Sequence, residues 1–158
     1  MIADVPVRLA TLGDALEIAE MSRDYIEQGL RWRWRASRIS KVIADPDTNV
    51  AVVGEHGALT AFGIMHYADR DAHLLLFAVR PKVRRHGVGS ATLIWLETVA
   101  RSAGARRIRL EARRDNEAAR SFYSEHGYHE RAIRPGMYSE LVDGVRLEKW
   151  LRAEPGLD

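Results

Sequence analysis

Val79-Arg80-Pro81-Lys82-Val83-Arg84-Arg85-His86-Gly87-Val88-Gly89-Ser90 decides how the chain is read. Ahead of it, an apolar run from His73 to Val79, bounded by Asp71 and Pro81, predicts a buried strand. Behind it, Ala91, Leu93, Ile94, Leu96 and Val99 recur at helical spacing as far as Ala100. A strand therefore enters a basic, glycine-bearing turn that opens a helix. The first turn of a helix offers N–H groups without intrahelical acceptors and the positive end of the macrodipole, which suits a phosphate. Gly87 and Gly89 remove side chains that would hold backbone away from a diphosphate, and the arginines add charge. The plainer alternative is a capped helix with a solvated run of charge.

Two familiar glycine loops are excluded. The Walker A pattern needs a lysine followed by Ser or Thr, and none occurs. The dinucleotide fingerprint G-x-G-x-x-G fails because position 92 is Thr92. What remains is R-x-x-G-x-G, carried by Arg84, Gly87 and Gly89.

The 158 residues suit one domain over 1–153, with a loose tail at 154–158, and are enough to bury a core. An apolar fraction of 46% and a charged fraction of 29% are those of a water-soluble globular chain. A net charge of only +2 argues against a protein built to bind nucleic acid. The absence of cysteine excludes disulfides, a thiol nucleophile and thiolate metal sites. No stretch is apolar over the length of a membrane span, and Met1-Ile2-Ala3-Asp4 does not open a signal peptide. The expected location is the cytoplasm, as a monomer or homodimer without membrane partners.

Taken in order, Val5 to Leu9 predicts a strand, and Thr11 with Asp14 a capping box ahead of a helix that Gly29 ends or closely follows. Arg38 to Ala44 predicts a second helix, stopped by Pro46. Thr48 to Val53 and Leu59 to Tyr67 pair as a hairpin. After the long helix come a strand at Arg107 to Ala112 and a short helix capped by Asn116 or Asp115 and closed by Gly127. The last strands are expected at Tyr128 to Ile133 and Val145 to Leu151, with turns at Pro135-Gly136 and Asp143-Gly144.

Between the first two helices stands Arg31-Trp32-Arg33-Trp34-Arg35. Three readings compete: a stacking surface for nucleic acid, tryptophans packed inward beneath snorkelling arginines, or a wall of a substrate site.

With this order of elements, R-x-x-G-x-G resembles the turn of the GCN5-related N-acetyltransferase (GNAT) family. Asn116, Ala119, Phe122, Tyr123, Gly127 and Tyr128 resemble the family's second motif, N-x-x-A-x-x-[FL]-Y-x-x-x-G-[FY]. The resemblance is clear over Leu74 to Tyr128. It implies an α/β (α+β) fold with a mixed central sheet of six to seven strands, helices on both faces, and a splay between strands 4 and 5. It implies acetyl-CoA as acyl donor and no metal. The matching positions would pair Phe77 and Val79 with the pantetheine arm. They would place Arg84, Arg85, His86, Gly87, Val88, Gly89 and Ser90 around the diphosphate, and Asn116 and Tyr123 against the arm.

Leu110-Glu111-Ala112-Arg113 and the segment from Ala132 through Tyr138 to Gly144 further resemble the ribosomal-protein alanine N-acetyltransferases (RimI type). By that resemblance Glu111 is the general base and Tyr123 the general acid, and the acceptor is a protein α-amine. Making an amide from a thioester needs a neutral amine and a proton or hydrogen bond for the departing thiolate, which a carboxylate and a phenol can provide. Glu111 has an alternative as a solvated strand-end carboxylate beside Arg109 or Arg113, and Tyr123 as a core ring beside Phe122. His66 and His73 are rival bases, since imidazole titrates near neutrality. Tyr25, Trp32, Trp34, His66 and Tyr138 are the candidate acceptor-binding residues. Small amines such as polyamines, amino acids or aminoglycosides are the alternative acceptors, and a non-catalytic acyl-CoA-binding module is the alternative of another class.

Overall fold

A computed structural model describes residues 5–152; the tail expected at 154–158 lies outside the described residues. The elements are β1 (Val7–Leu9), α1 (Ala15–Tyr25), α2 (Ala36–Ala44), β2 (Thr48–Val53), β3 (Ala61–Ala68), β4 (Asp71–Val79), α3 (Val88–Ser102), β5 (Arg107–Arg113), α4 (Glu117–Glu125), β6 (His129–Tyr138) and β7 (Val142–Trp150). The strands hydrogen-bond in the order β1-β2-β3-β4-β5-β7-β6. The β1–β2, β2–β3, β5–β7 and β6–β7 pairs are antiparallel and β4–β5 is parallel. This is the mixed α/β sheet that the motif order predicts.

The chain divides into two compact units, and β4 contributes to both: Asp71 to Leu74 to one, Leu75 to Val79 to the other. In the first unit, α1 and α2 bury Ile18, Met21 and Ile39 against Val50, Val52, Phe62, Ile64, Leu76 and Ala78. Each fully buried aliphatic side chain contributes about 2 kcal/mol from apolar area removed from water. Gly63 points to the opposite face of β3, where an added Cβ would stand 2.7 Å from Leu96 of α3 and 3.1 Å from Phe77. So β3 is covered on both sides, and Gly63 allows the close approach of α3.

The second unit holds β5, β6, β7 and α4. Ile108, Leu110, Ala112, Val145 and Leu147 bury one face, and Tyr123 and Tyr128 are buried with them in the unit's interior. The parallel register runs from Asp71↔Arg107 to Leu74↔Leu110 and stops there, although β4 continues to Val79 and β5 to Arg113. That is the predicted splay.

Three sequence expectations need correction. Pro135 and Gly136 lie within β6, which runs on to Tyr138, and the turn falls at Ser139 to Leu141 instead. β6 is an edge strand with register shifts at Glu130/Ala132 and Arg134/Tyr138, and an edge strand tolerates a proline that lacks a ladder donor. Asp143-Gly144 is likewise strand, because β7 begins at Val142. The second helix starts at Ala36, two residues before the predicted Arg38. Among the described residues, no helix is long and apolar enough to cross a membrane.

Candidate active site

The basic turn lies in the first unit. After β4 the chain makes a 3-10 turn over Pro81–Val83 and reverses through Arg85 at φ +70° and Gly87 at φ +79°. Left-handed backbone is costly for Arg85 and cheap for Gly87. The ladder of α3 begins at Ala91, whose N–H donates to the Gly87 carbonyl at 3.0 Å. The amides of Val88 and Gly89 therefore stand ahead of that ladder, at the positive end of the helix. Arg84, Arg85 and His86 are exposed beside them. Positive charge and amides ahead of the helix ladder on one turn are features that suit an anion.

In the second unit, His73 Nε2 lies 2.8 Å from Glu111 Oε1. The Glu111 side chain is only 11% exposed. Burial alone would raise its pKa; the hydrogen bond from His73 and the charges of His73, Arg146 and Arg109 outweigh that and hold it below the ordinary carboxylate range. Glu111 is thus a nearly buried carboxylate kept ionised, with Oε2 free of hydrogen bonds from the described residues.

Asn116 caps α4, its side-chain oxygen accepting from the Ala119 N–H at 3.1 Å. The capped helix carries Tyr123 inward, 7% exposed, with edge-on ring contacts to Phe122 at 5.5 Å and Tyr128 at 5.7 Å. Burial, then the neighbouring Tyr138, pushes the Tyr123 phenol well above its ordinary pKa. Tyr138, from β6, is pushed up to about 12 by burial and by the Glu111 charge, with Arg113 opposing. Glu111, Tyr138 and Tyr123 are therefore electrostatically linked within one unit.

A model of the acetyltransferase (GNAT) family matches residues 14–128. The chain belongs to that family. GNAT acetyltransferases use acetyl-CoA, and the chain is such an acetyltransferase. Among solved structures, Ard1 from Thermoplasma volcanium is similar at 24% identity with a TM-score of 0.80, over 94% of this chain and 98% of that one. The ribosomal-protein-S18-alanine N-acetyltransferase from Escherichia coli is similar at 23% identity with a TM-score of 0.75, over 97% and 98%. The PaiA N-acetyltransferase from Thermoplasma acidophilum, solved in complex with coenzyme A, is similar at 18% identity with a TM-score of 0.78, over 93% and 99%. At these identities the likeness is one of fold.

On the GNAT framework, Phe77 packs against Gly63, and the Val79 carbonyl accepts from Arg84 Nε at 3.3 Å. The candidate acceptor residues divide between the units. Tyr138 stands with Glu111, as above. The other four lie in the first unit. Tyr25 accepts at its hydroxyl from Arg80 Nη1 at 3.2 Å. His66 Nδ1 lies 3.1 Å from Thr48 Oγ1 and 3.8 Å from Asp45. Trp32 and Trp34 pack against the apolar core, and Trp32 Nε1 donates to the carbonyls of Ala19 and Trp34, each at 3.2 Å. Arg35 stacks over Trp32 at 4.5 Å and Arg38 over Trp34 at 3.7 Å, as snorkelling arginines do.

Three residues have partners that the sequence does not show. Glu27 is buried and accepts from Ser22 Oγ at 2.8 Å and from the N–H groups of Arg33 at 2.7 Å and Trp34 at 3.3 Å, which shapes the whole Arg/Trp segment. Arg80 ties the end of β4 to Glu17 at 2.9 Å and to the Leu59 carbonyl at 2.6 Å. His73 was weighed only as a rival base, whereas it is bonded to Glu111. Its partner is 38 positions away, beyond any local pattern.

Proposed function

We propose that the protein transfers the acetyl group of acetyl-CoA to a primary amine, by direct attack in a ternary complex, and that the acceptor is a peptide or protein N-terminus. The observation that carries this reading is the His73–Glu111 pair, a carboxylate nearly out of water and held ionised. The fold likeness to an enzyme that acetylates a ribosomal protein's alanine supports the choice of acceptor.

The residues present fit acetyl-CoA. The turn from Arg84 to Ser90 offers helix amides and exposed cations to a diphosphate, and its Gly87 and Gly89 carry no side chain to hold one away. Phe77 and Val79 lie on the part of β4 past the end of the β4–β5 register and offer backbone groups to the pantetheine arm. Asn116 retains its side-chain amide N–H groups for the same ligand while its oxygen caps α4. When bound, acetyl-CoA supplies an acetyl group activated as a thioester.

Glu111 Oε2 accepts a proton from the acceptor's ammonium, whose ordinary pKa lies near 8, as the nitrogen becomes a nucleophile. With Glu111 ionised, the shared hydrogen lies on His73 Nε2, so His73 orients the carboxylate and stabilises its charge. Tyr123 keeps its proton at Oη throughout the physiological range. A phenol with a raised pKa does not give its proton up to a thiolate but can still donate a hydrogen bond, so its role is to steady the departing sulfur.

The test is CoA release from acetyl-CoA with peptides bearing free or blocked α-amines and with small amines. Turnover confined to free N-termini, lost in Glu111→Gln and Tyr123→Phe, supports the reading. Turnover confined to small amines overturns the acceptor assignment, and tight acetyl-CoA binding without any turnover overturns the catalytic one.

A further inference from the structure

One face of the second unit carries an unusual charge arrangement. Arg107, Arg109, Glu111 and Arg113 alternate along β5 on the side away from Ile108, Leu110 and Ala112. Across the ladders, Arg109 faces His73 of β4 and Glu148 of β7, and Glu111 faces Arg146 of β7. The carboxylates on this face are committed elsewhere. Asp71 accepts from Arg106 at 3.4 Å and Arg107 at 2.7 Å. Glu148 accepts from Arg107 at 3.4 Å, Arg131 at 3.1 Å and Trp150 Nε1 at 3.4 Å. Glu111 Oε1 is occupied by His73.

Arg109 and Arg146 are left over. Neither side chain makes a hydrogen bond or ion pair with any described residue, and the Nε of each is buried without an acceptor. A buried guanidinium N–H without an acceptor is unfavourable, so the fold maintains two such Nε groups beside Glu111 against their own cost. Both are close enough for their charges to act on Glu111. A guanidinium presents parallel N–H donors in a planar fork, and a carboxylate or phosphate matches that fork. The nearby Glu111 anion disfavours a phosphate dianion more than a carboxylate monoanion. The donor's diphosphate already has its own turn at Arg84 to Ser90.

We propose that Arg109 and Arg146 form a carboxylate-binding subsite beside Glu111, which selects acceptors bearing an acidic group close to the amine. This rests on Glu111 receiving the acceptor nitrogen. The carboxylate has two possible sources: the side chain of an N-terminal Asp or Glu, and the α-carboxylate of a free amino acid.

Two measurements test it. In steady-state acetylation, Asp- and Glu-initiated peptide amides, the matching Ala-initiated peptide amide and free amino acids are compared, which separates the two sources. The wild-type protein favours a carboxylate-bearing acceptor by roughly tenfold to a hundredfold in kcat/KM, mostly through KM. Arg109→Gln and Arg146→Gln bring acidic and neutral acceptors towards parity, and Arg146→Lys, which keeps the charge without the fork, falls between. Thermal unfolding is followed in parallel. Equal use of acidic and neutral acceptors by the wild-type protein overturns the subsite, as does an equal loss for both in the variants.

The second measurement does not depend on turnover. The arginine Nε–Hε resonances of labelled protein are titrated with the Asp- and Ala-initiated peptide amides and with a free amino acid. Saturable shifts of the Arg109 and Arg146 signals with a carboxylate-bearing ligand alone support the subsite even where no amine is acetylated, in which case only the catalytic reading of Glu111 falls. Absence of shifts with all ligands, or the same shifts with the Ala peptide, overturns the subsite even where acetylation proceeds.

Discussion

His73 Nε2 reaches Glu111 Oε1 at 2.8 Å, although the residue His73 faces across the β4–β5 ladder is Arg109. The imidazole leans two positions along the neighbouring strand, past a cation, to meet an anion. Both residues lie on the half-buried side of their strands, where water does little to weaken the contact.

Replacing His73 with alanine therefore moves a titration. The hydrogen bond and charge of His73 lower the Glu111 pKa, while burial raises it. Without His73 the burial effect gains, so the acidic limb of the kcat/KM profile shifts to higher pH and activity at low pH falls. A pH profile of His73→Ala against the wild-type protein measures this. An unmoved acidic limb would remove Glu111 from the role of base.

Tyr123→Phe keeps the ring contacts to Phe122 and Tyr128 and deletes only the hydroxyl. The expected result is a native-like thermal unfolding curve with kcat lowered by roughly 10²-fold or more. CoA release under saturating substrates reads the loss. Because the phenol stays protonated to high pH, the wild-type profile should show no basic limb from Tyr123 below pH 10.

Gly87 sits at φ +79° immediately before α3. Gly87→Val forces a branched side chain into left-handed backbone, at a cost of about 1–3 kcal/mol if the turn keeps its shape. Should the turn relax instead, its amides lose their alignment. In either case the KM for acetyl-CoA rises, by about tenfold or more, with a smaller effect on the KM for the amine. Isothermal titration with CoA gives the same comparison without turnover.

Asp14 links folding to acidity. Its side chain is fully buried and accepts from Arg8 Nη1 at 2.8 Å, His56 Nδ1 at 2.6 Å and the Thr11 N–H at 2.9 Å. Burial pulls its pKa up, but the bonds from Arg8, Thr11 and His56 prevail and hold it at about 2. A carboxyl with a depressed folded pKa contributes stability above its unfolded pKa of 3.8, and loses it as pH falls towards about 2. Asp14→Asn should flatten that part of the stability–pH curve and cost about 2 kcal/mol at neutral pH, since Arg8 keeps the Gly54 carbonyl but loses its bonded carboxylate. Urea unfolding between pH 2 and 7 measures both.

Elements with local periodicity or punctuation were legible in the sequence. The apolar run of β4, the glycine turn that opens α3 and the Asn116 cap each act within a few residues. Pro135-Gly136 misled, because the same dipeptide serves a turn or an edge strand, and only the pairing of β6 with β7 decides between them. The candidate residues on β5 and α4 could be named, but their partners could not. His73 and Glu111 meet only because two strands lie parallel, and Glu27 reaches Arg33 and Trp34 only because the chain folds back after α1. Arg109 and Arg146 look like ordinary solvated arginines until the neighbouring carboxylates are seen to be taken.

The buried Glu27 carboxylate also bears on how this chain can change. Because it grips the Arg33 and Trp34 backbone from within, the path between α1 and α2 does not depend on the outward side chains Arg31 and Arg33. Those two positions can be randomised as the tips of an antibody loop are, altering what the surface meets while the frame beneath stays put. A directed-evolution library at Arg31 and Arg33, with Glu27 left intact, would explore new surfaces without a matching loss of folded protein.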